Sequence, residues 1–289
     1  MFPANFDYHR PGSVDEAVAL LARLGGDAKI LAGGHSLVPM MKLRMAAPSD
    51  LIDVNGIKEL KGIREADGQI CIGAATTQAE VLASSLLAER CALLPEASAL
   101  IADPQVRYCG TVGGNVANGD PGNDLPAVMM ALNATYVLRG PEGERIVAAR
   151  DFYKGVYSTE LGGDELLIEV RLPALSRNQG AAYVKMKRKV GDYATAATAV
   201  VLSMKGGKCE SASIALTNAG DTPLYAADAG ASLTGKTIDE AAITEAARLA
   251  MEIANPAADL RGTVEFRTAM VGEMTRRAIR KAAARAKGA

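Results

Sequence analysis

Apolar positions along this chain keep two alternating rhythms. Val14, Ala17, Val18, Leu21 and Leu24 share one face at helical period, with Ser13-Val14-Asp15-Glu16 before them and Gly25-Gly26 after. This predicts a helix opened by a capping box, Ser13 bonding the Glu16 amide and Glu16 reaching back, and closed by glycine. Lys29 to Ala32 reads as a short buried strand that delivers the chain into Gly33-Gly34-His35-Ser36, and Ser36 to Lys42 turns helical with Pro39 in its first turn. Leu51 to Val54 and Gln69 to Gly73 are strand-like. Thr77-Gln78-Ala79-Glu80 is a second capping box, and Leu86 to Ile101 predicts a helix ending before Asp103-Pro104.

Further on, Leu125 to Leu132 predicts a helix, and Thr135 to Arg139 and Arg145 to Val147 predict strands around the Pro141-Glu142-Gly143 turn. A small mixed sheet is expected. Glu165 to Leu172 is a strand ending at Pro173, and the polar segment Ser176 to Gly180 marks a domain boundary. Ala199 to Lys205 and Lys208 to Thr217 flank Gly206-Gly207 as a hairpin, while Ile238 to Ile253 and Phe266 to Lys287 are helical.

Between these regular pieces lies Thr111 to Asp124, which holds four glycines, three asparagines and two aspartates in fourteen residues. Such a composition favours turns and exposed main chain over a core helix or central strand. Gly113 and Gly114 in Thr111-Val112-Gly113-Gly114-Asn115 would let the backbone approach a ligand, and successive amides there can form an anion-binding concavity. An ordinary polar loop accounts for that segment equally well. The second glycine loop, Ala32-Gly33-Gly34-His35-Ser36-Leu37, shifts the balance towards a diphosphate.

With 289 residues, 49% of them apolar, the chain has material for about two domains with proper cores. The 32 basic and 33 acidic residues leave no broad positive field for nucleic acid. No basic region followed by an apolar run opens the sequence, and no eighteen-residue apolar stretch occurs, which points to a cytoplasmic protein with no transmembrane segment. Cys71, Cys91, Cys109 and Cys209 are scattered and the only histidines are His9 and His35, so neither an iron–sulfur cluster nor a catalytic zinc is expected on this chain. Each cysteine reads as a small buried hydrophobe. The basic tail Arg276-Arg277-Ala278-Ile279-Arg280-Lys281 is either a solvated helix end or a docking surface.

Taken together, the two glycine loops, Ile101-Ala102-Asp103-Pro104-Gln105-Val106-Arg107, Asp120-Pro121-Gly122-Asn123-Asp124 and Lys187-Arg188-Lys189-Val190-Gly191-Asp192-Tyr193-Ala194-Thr195-Ala196 carry a resemblance. The chain resembles the flavin-binding medium subunits of the molybdenum hydroxylases, and most closely those of the aerobic carbon monoxide dehydrogenases. The resemblance implies an α+β fold: a PCMH-type, vanillyl-alcohol-oxidase-like FAD-binding domain over 1–176, in two α/β subdomains of about 1–55 and 56–176. A C-terminal domain of a small antiparallel sheet and helices follows over 177–289.

It further implies non-covalent FAD, its pyrophosphate cradled by the backbone of Ala32, Gly33, Gly34, His35, Ser36 and Leu37 and of Thr111, Val112, Gly113, Gly114 and Asn115. Ser36 and Thr111 would add hydroxyls, His35 hydrogen bonding and shape, and Asp124 would accept from the nucleotide half. Read as residues alone, Asp124 is equally an Asx-turn or a helix cap. Lys185, Asp192 and Tyr193 would lie beside the flavin ring, with the Leu167 backbone against it. Implied partners are a small subunit with 2Fe–2S clusters and a large subunit with the molybdenum cofactor and copper, in a dimer of heterotrimers. Electrons from carbon monoxide would pass through this chain to a quinone or another acceptor, at the inner face of the cytoplasmic membrane. The rivals are another hydroxylase acting on an aldehyde, purine or N-heterocycle, a stand-alone flavin oxidase, and a binding module that has lost the cofactor. Against the last stands the presence of glycines in both loops, for which no purely structural demand is visible in the sequence. The Gly-x-Gly-x-x-Gly fingerprint of a Rossmann dehydrogenase is missing, and Asp53 alone does not replace it.

Overall fold

The computed structural model describes residues 2–288. The first piece comprises β1 (Asp7–His9), α1 (Val14–Leu24), β2 (Ala28–Leu31), α2 (Leu37–Lys42) and β3 (Asp50–Asp53), its strands parallel in the order β1-β3-β2. Ala17, Val18 and Leu21 of α1 bury themselves against Ile52, Val54, Ile57 and Leu60. Ser13 accepts from the Glu16 amide at 3.2 Å, but the Glu16 carboxylate takes the amide of Gly12 at 2.7 Å, so the reciprocal half of the expected box is shifted by one residue. Parallel strands place ligand sites beyond their carboxyl ends, and β2 leads there directly into Ala32 to Ser36.

The second piece adds β4 (Ile63–Ala66), β5 (Gln69–Gly73), α3 (Gln78–Ala83), α4 (Ser85–Arg90), α5 (Leu93–Ser98), α6 (Pro104–Cys109), α7 (Val112–Ala117) and α8 (Asp124–Ala131). It continues with β6 (Thr135–Gly140), β7 (Gly143–Ala148), the small hairpin of β8 (Tyr153–Gly155) and β9 (Ser158–Thr159), and β10 (Leu166–Pro173). The five-stranded sheet β4-β5-β10-β6-β7 is antiparallel at every pairing, where a mixed sheet was expected. The reason is β10, which returns late in the chain and inserts between β5 and β6, opposite in direction to both. The helix predicted over Leu86 to Ile101 is broken at Cys91: Pro95 has no N–H to give its carbonyl, and Leu94 closes a turn on it at 3.1 Å instead.

The third piece consists of β11 (Gln179–Met186), β12 (Ala196–Lys205), β13 (Lys208–Thr217), β14 (Leu224–Tyr225), α9 (Ala227–Leu233), α10 (Glu240–Glu252) and α11 (Val264–Gly288). Gly206 and Gly207 take φ of +58° and +79°, the conformation a two-residue hairpin turn requires. One face of this antiparallel sheet is covered by α9 and α11, with α10 packed against both helices, through Ala182, Val200, Leu202 and Ile214. The other face, with Tyr183, Ala197, Ala199 and Val201, shares a core with Leu125, Val128 and Met129 of α8. A single core therefore runs beneath the Pro173 to Gln179 connection, and the geometry of the second piece depends on the third.

From Arg280 onward the basic tail is paired within the chain and not simply solvated. Arg280 pairs with Glu240 at 2.6 Å, and Lys281 and Arg285 converge on Glu96 of α5 at 3.0 and 2.5 Å. Glu96 also accepts the main-chain N–H of Tyr183 at 3.0 Å, which ties α5, β11 and α11 together at one carboxylate. Partial burial works against its charge, but Arg285, Lys281 and the Tyr183 amide outweigh that and hold its pKa below the ordinary 4.5. A depressed carboxylate contributes stability above its unfolded pKa and loses it as pH falls through the folded one. Glu96→Gln is therefore expected to lower unfolding free energy at pH 7 by about 1–3 kcal/mol. The gap from the parent protein should narrow as pH falls below the ordinary carboxylate value of 4.5, measured by urea unfolding down through the acid range.

Candidate functional site

Two stretches far apart in sequence meet with no side chain between them. A Cβ on Gly33 would lie 2.5 Å from the Cys109 carbonyl oxygen and 2.8 Å from the Gly110 Cα, so the first glycine loop rests directly on the main chain that leads into the second. Gly113 is pressed in the same way on Ala74, its virtual Cβ 2.6 Å from the Ala74 Cβ. The structure thus demands glycine in both loops for chain-to-chain packing, and the sequence-based case against a cofactor-free module loses its footing.

What distinguishes the loops is the state of their amides. From Val112 to Asn115 the polar composition folds into the short helix α7, capped by Thr111, in place of an open loop. The amides of Val112 and Gly113 donate to the Thr76 and Ala74 carbonyls at 2.8 Å each, that of Gly114 to Thr111 Oγ1 at 3.0 Å, and that of Asn115 to the Thr111 carbonyl at 3.1 Å. These four are committed within the chain. Among the described residues the amides of Gly33, Gly34, His35 and Ser36 have no acceptor, nor do the His35 ring and the Ser36 hydroxyl have a partner. Partly buried N–H groups without partners are costly unless water or a ligand supplies the acceptor.

Both loops line one cleft of about 800 Å³, at the upper end of the range of roughly 300–1,000 Å³ for small-molecule sites. Every residue expected at the site lines it except Val112, which is fully buried in the core beneath. Asp124, at the start of α8, neither forms an Asx-turn nor caps a helix. Its carboxylate accepts from Lys185 Nζ at 2.8 Å and from Tyr183 Oη at 2.6 Å. The capping of α8 falls to Asn115, whose Oδ1 accepts the Leu125 amide at 3.2 Å. Burial pushes the Asp124 pKa up against the pull of the Lys185 ammonium, and the two form one buried pair at the cleft wall. Lys185 is therefore not a free cation.

At the other end Asp192 is ringed by Arg261 at 3.0 Å and Arg188 at 2.9 Å, and it also accepts the Tyr193 amide at 2.9 Å. Burial opposes its charge, yet the arginines prevail and hold it at about 2. Tyr193 is 45% exposed, packs over Gly122 and has the Arg261 guanidinium 5.9 Å from its ring centroid. Leu167 sits where β10 slips register against β6, a bulge that re-aims the strand beside the cleft.

Three residues at the cleft went unmarked in the sequence. Asn118, just after α7, has a buried Nδ2 with no partner, an orphaned donor in the cleft wall. Tyr157, at φ +55°, donates to Asp120 at 3.2 Å, and Gln78 holds the Thr111 carbonyl at 3.3 Å. Asn118 stands in a run of Asn and Gly whose turn character masks it; Tyr157 carries no sequence signal. The cysteine expectation fails at Cys109, which is exposed, while the other three are buried. Among the described residues no helix is long and apolar enough to cross a membrane, and no group of three or more His, Cys, Asp or Glu could hold a metal.

A cleft lined by four free amides, an orphaned amide donor and an aromatic ring has the build of a dinucleotide-cofactor flavoprotein. Comparison with known proteins agrees. Residues 4–175 match the model of the FAD binding domain in molybdopterin dehydrogenase, and residues 181–282 that of the CO dehydrogenase flavoprotein C-terminal domain. The carbon monoxide dehydrogenase medium chain of Afipia carboxidovorans is 56% identical over 99% of this chain and 100% of its own. A chain in the crystal structure of cyanide-inactivated Cu,Mo-CO dehydrogenase superposes with a TM-score of 0.97 at 55% identity, covering 99% of this chain and 100% of that one. Subunit alpha of the 6-hydroxypseudooxynicotine dehydrogenase complex of Paenarthrobacter nicotinovorans is 36% identical over 99% of this chain and 97% of its own. The chain belongs to the family of FAD-binding flavoproteins of the molybdopterin dehydrogenases.

Two substitutions test the cleft. Asn118→Ala removes an unsatisfied donor, so the cofactor-free protein should keep its stability while FAD binds about tenfold more weakly in a fluorescence-quenching titration. Gly33→Ala forces a Cβ into immobile backbone, so it should both weaken FAD binding and lower stability by about 1–3 kcal/mol. Measured thermal or urea unfolding separates the two patterns.

Proposed function

We propose that this chain is the FAD-carrying electron-transfer subunit of an aerobic carbon monoxide dehydrogenase. In the assembled enzyme carbon monoxide and water become carbon dioxide, two protons and two electrons on a large subunit holding the molybdenum cofactor and copper. A small subunit with 2Fe–2S clusters relays the electrons to this chain, and a quinone or similar acceptor takes them away. FAD, held without a covalent bond, supplies the exchange between one-electron donors and a two-electron acceptor. The assembly is a dimer of heterotrimers working at the cytoplasmic side of the membrane.

The observation that carries this reading is 56% identity to a carbon monoxide dehydrogenase medium chain from end to end, against 36% for a relative named for another substrate. The chain's own residues have definable tasks. The amides of Gly33 to Ser36 bind the diphosphate, helped by the Ser36 and Thr111 hydroxyls, and the Asn118 donor supports it. Asp124 accepts from the nucleotide half while Lys185 neutralises it, so little net charge faces the cofactor there. Tyr193 stacks at the ring end, with Asp192 kept ionised by its arginines and Leu167 fixing the wall. Tyr157 and Tyr193 both bear on the Asp120–Gly122 turn at the cleft wall.

The test is anaerobic. The complex purified from its native host should contain a small and a large partner and show flavin and iron–sulfur absorbance, and carbon monoxide should bleach both while aldehydes and purines do not. Bleaching by an aldehyde or purine alone would transfer the chain to another hydroxylase, and a colourless chain purified without partners would overturn the reading.

A further inference from the structure

Away from the cofactor cleft, β11 is the edge strand of the C-terminal sheet, and its outer edge is only half protected. In an antiparallel strand alternate residues turn both their N–H and C=O groups away from the neighbouring strand. The Tyr183 amide bonded to Glu96 and the Ala181 carbonyl bonded to Arg285 at 2.5 Å identify the outward set as Ala181, Tyr183 and Lys185. Beyond that point the protection stops. The Tyr183 carbonyl and the Lys185 N–H and C=O have no partner among the described residues. A groove of about 700 Å³ opens along this part of the strand, between Val184–Lys187 and α11.

The groove has an apolar floor and a basic rim. Met186 and Met270 are half-buried and Ala269 is exposed, offering pliable thioether surface. Lys187, Arg276 and Arg277 outnumber Glu273, the single lining carboxylate, which both arginines share. Lys185 is already neutralised by Asp124. An unpaired strand edge beside an apolar groove is what strand addition uses: main-chain bonds give affinity and side-chain pockets give register. The excess of positive charge selects acidic side chains on the incoming strand.

We propose that this edge takes an extended, acidic segment of a partner subunit, which pairs with Lys185 as a fifth strand of the C-terminal sheet. The proposal rests on the reading of the chain as one subunit of a larger enzyme. It places a partner on the strand whose Lys185 side chain reaches the cofactor cleft, so that docking and the cleft wall share the backbone at Lys185.

Hydrogen exchange of the Lys185 amide, compared between the isolated chain and the purified complex, tests it. The amide should exchange freely in the isolated chain and at least tenfold more slowly in the complex. Ala269→Trp, which fills the groove, and Arg277→Glu, which reverses its rim, should each reduce co-purification of the partners at least tenfold while FAD content and far-ultraviolet circular dichroism stay at parent levels. Higher salt should loosen the parent complex but not the fold. Partners that co-purify equally with both variants, with the Lys185 amide still exchanging freely in the complex, would overturn the proposal and leave the subunit assignment intact. Protection of the amide in the isolated chain together with a dimer mass would assign the edge to a second copy and overturn it too. Absence of partners from the parent preparation would instead contradict the subunit reading on which it rests.

Discussion

The contact between Gly33 and the Cys109–Gly110 main chain is the constraint from which the rest of the site follows. It brings the carboxyl end of a parallel strand against the entry to α7 with no side chain between them. Because the loops meet through Cα and carbonyl atoms and not through hydrogen bonds, the amides from Gly33 to Ser36 remain available, while those from Val112 to Asn115 are consumed in building α7. The two loops, similar as strings of letters, have opposite duties. One presents donors, and the other holds the floor on which the presenting loop rests. Gly33 and Gly113 are therefore required even where they touch no ligand.

A second dependency runs through the C-terminal domain. Asp124 belongs to α8, but the groups that satisfy it, Lys185 and Tyr183, come from β11, and Tyr183 Oη lies 3.2 Å from the Thr217 hydroxyl on β13. Removing either partner would leave a buried carboxylate short of a donor, a far larger disturbance than loss of an exposed pair. The same α8 shares its apolar core with the C-terminal sheet. Glu96, clamped by Lys281 and Arg285, fixes that sheet along the outer edge of the same strand, β11. The cleft is thus shaped by three pieces of chain, and the C-terminal domain acts as one of its walls.

Much of this was legible in the sequence because local signals and tertiary needs coincide. The α1 stripe, the Thr77–Glu80 capping box and the Gly206–Gly207 hairpin turn each specify their element without help from distant residues. The two loops were marked by their glycine motifs, Asp124, Leu167, Lys185, Asp192 and Tyr193 only by the resemblance, and all the expected residues but Val112 line one cleft. What stayed hidden depended on partners far along the chain. Nothing in the sequence around β10 says that it inserts between β5 and β6, nor that Asn115 caps α8 while Asp124 bonds Lys185. α7 was obscured because its turn-forming composition is overridden by the Thr111 cap and by burial of Val112 and Val116. Asn118 was obscured because an orphaned donor is a property of surroundings, not of residue type.

That the main-chain amides of the first glycine loop bind the anionic cofactor, while those of the second hold the chain itself together, is open to one direct measurement. The purified complex, stripped of FAD and then reloaded, can be compared residue by residue for amide hydrogen exchange. FAD should slow exchange at Gly33, Gly34, His35 and Ser36 and leave Val112 to Asn115, already bonded within the chain, nearly unchanged. Strong new protection confined to Val112 to Asn115, with none at Gly33 to Ser36, would contradict it.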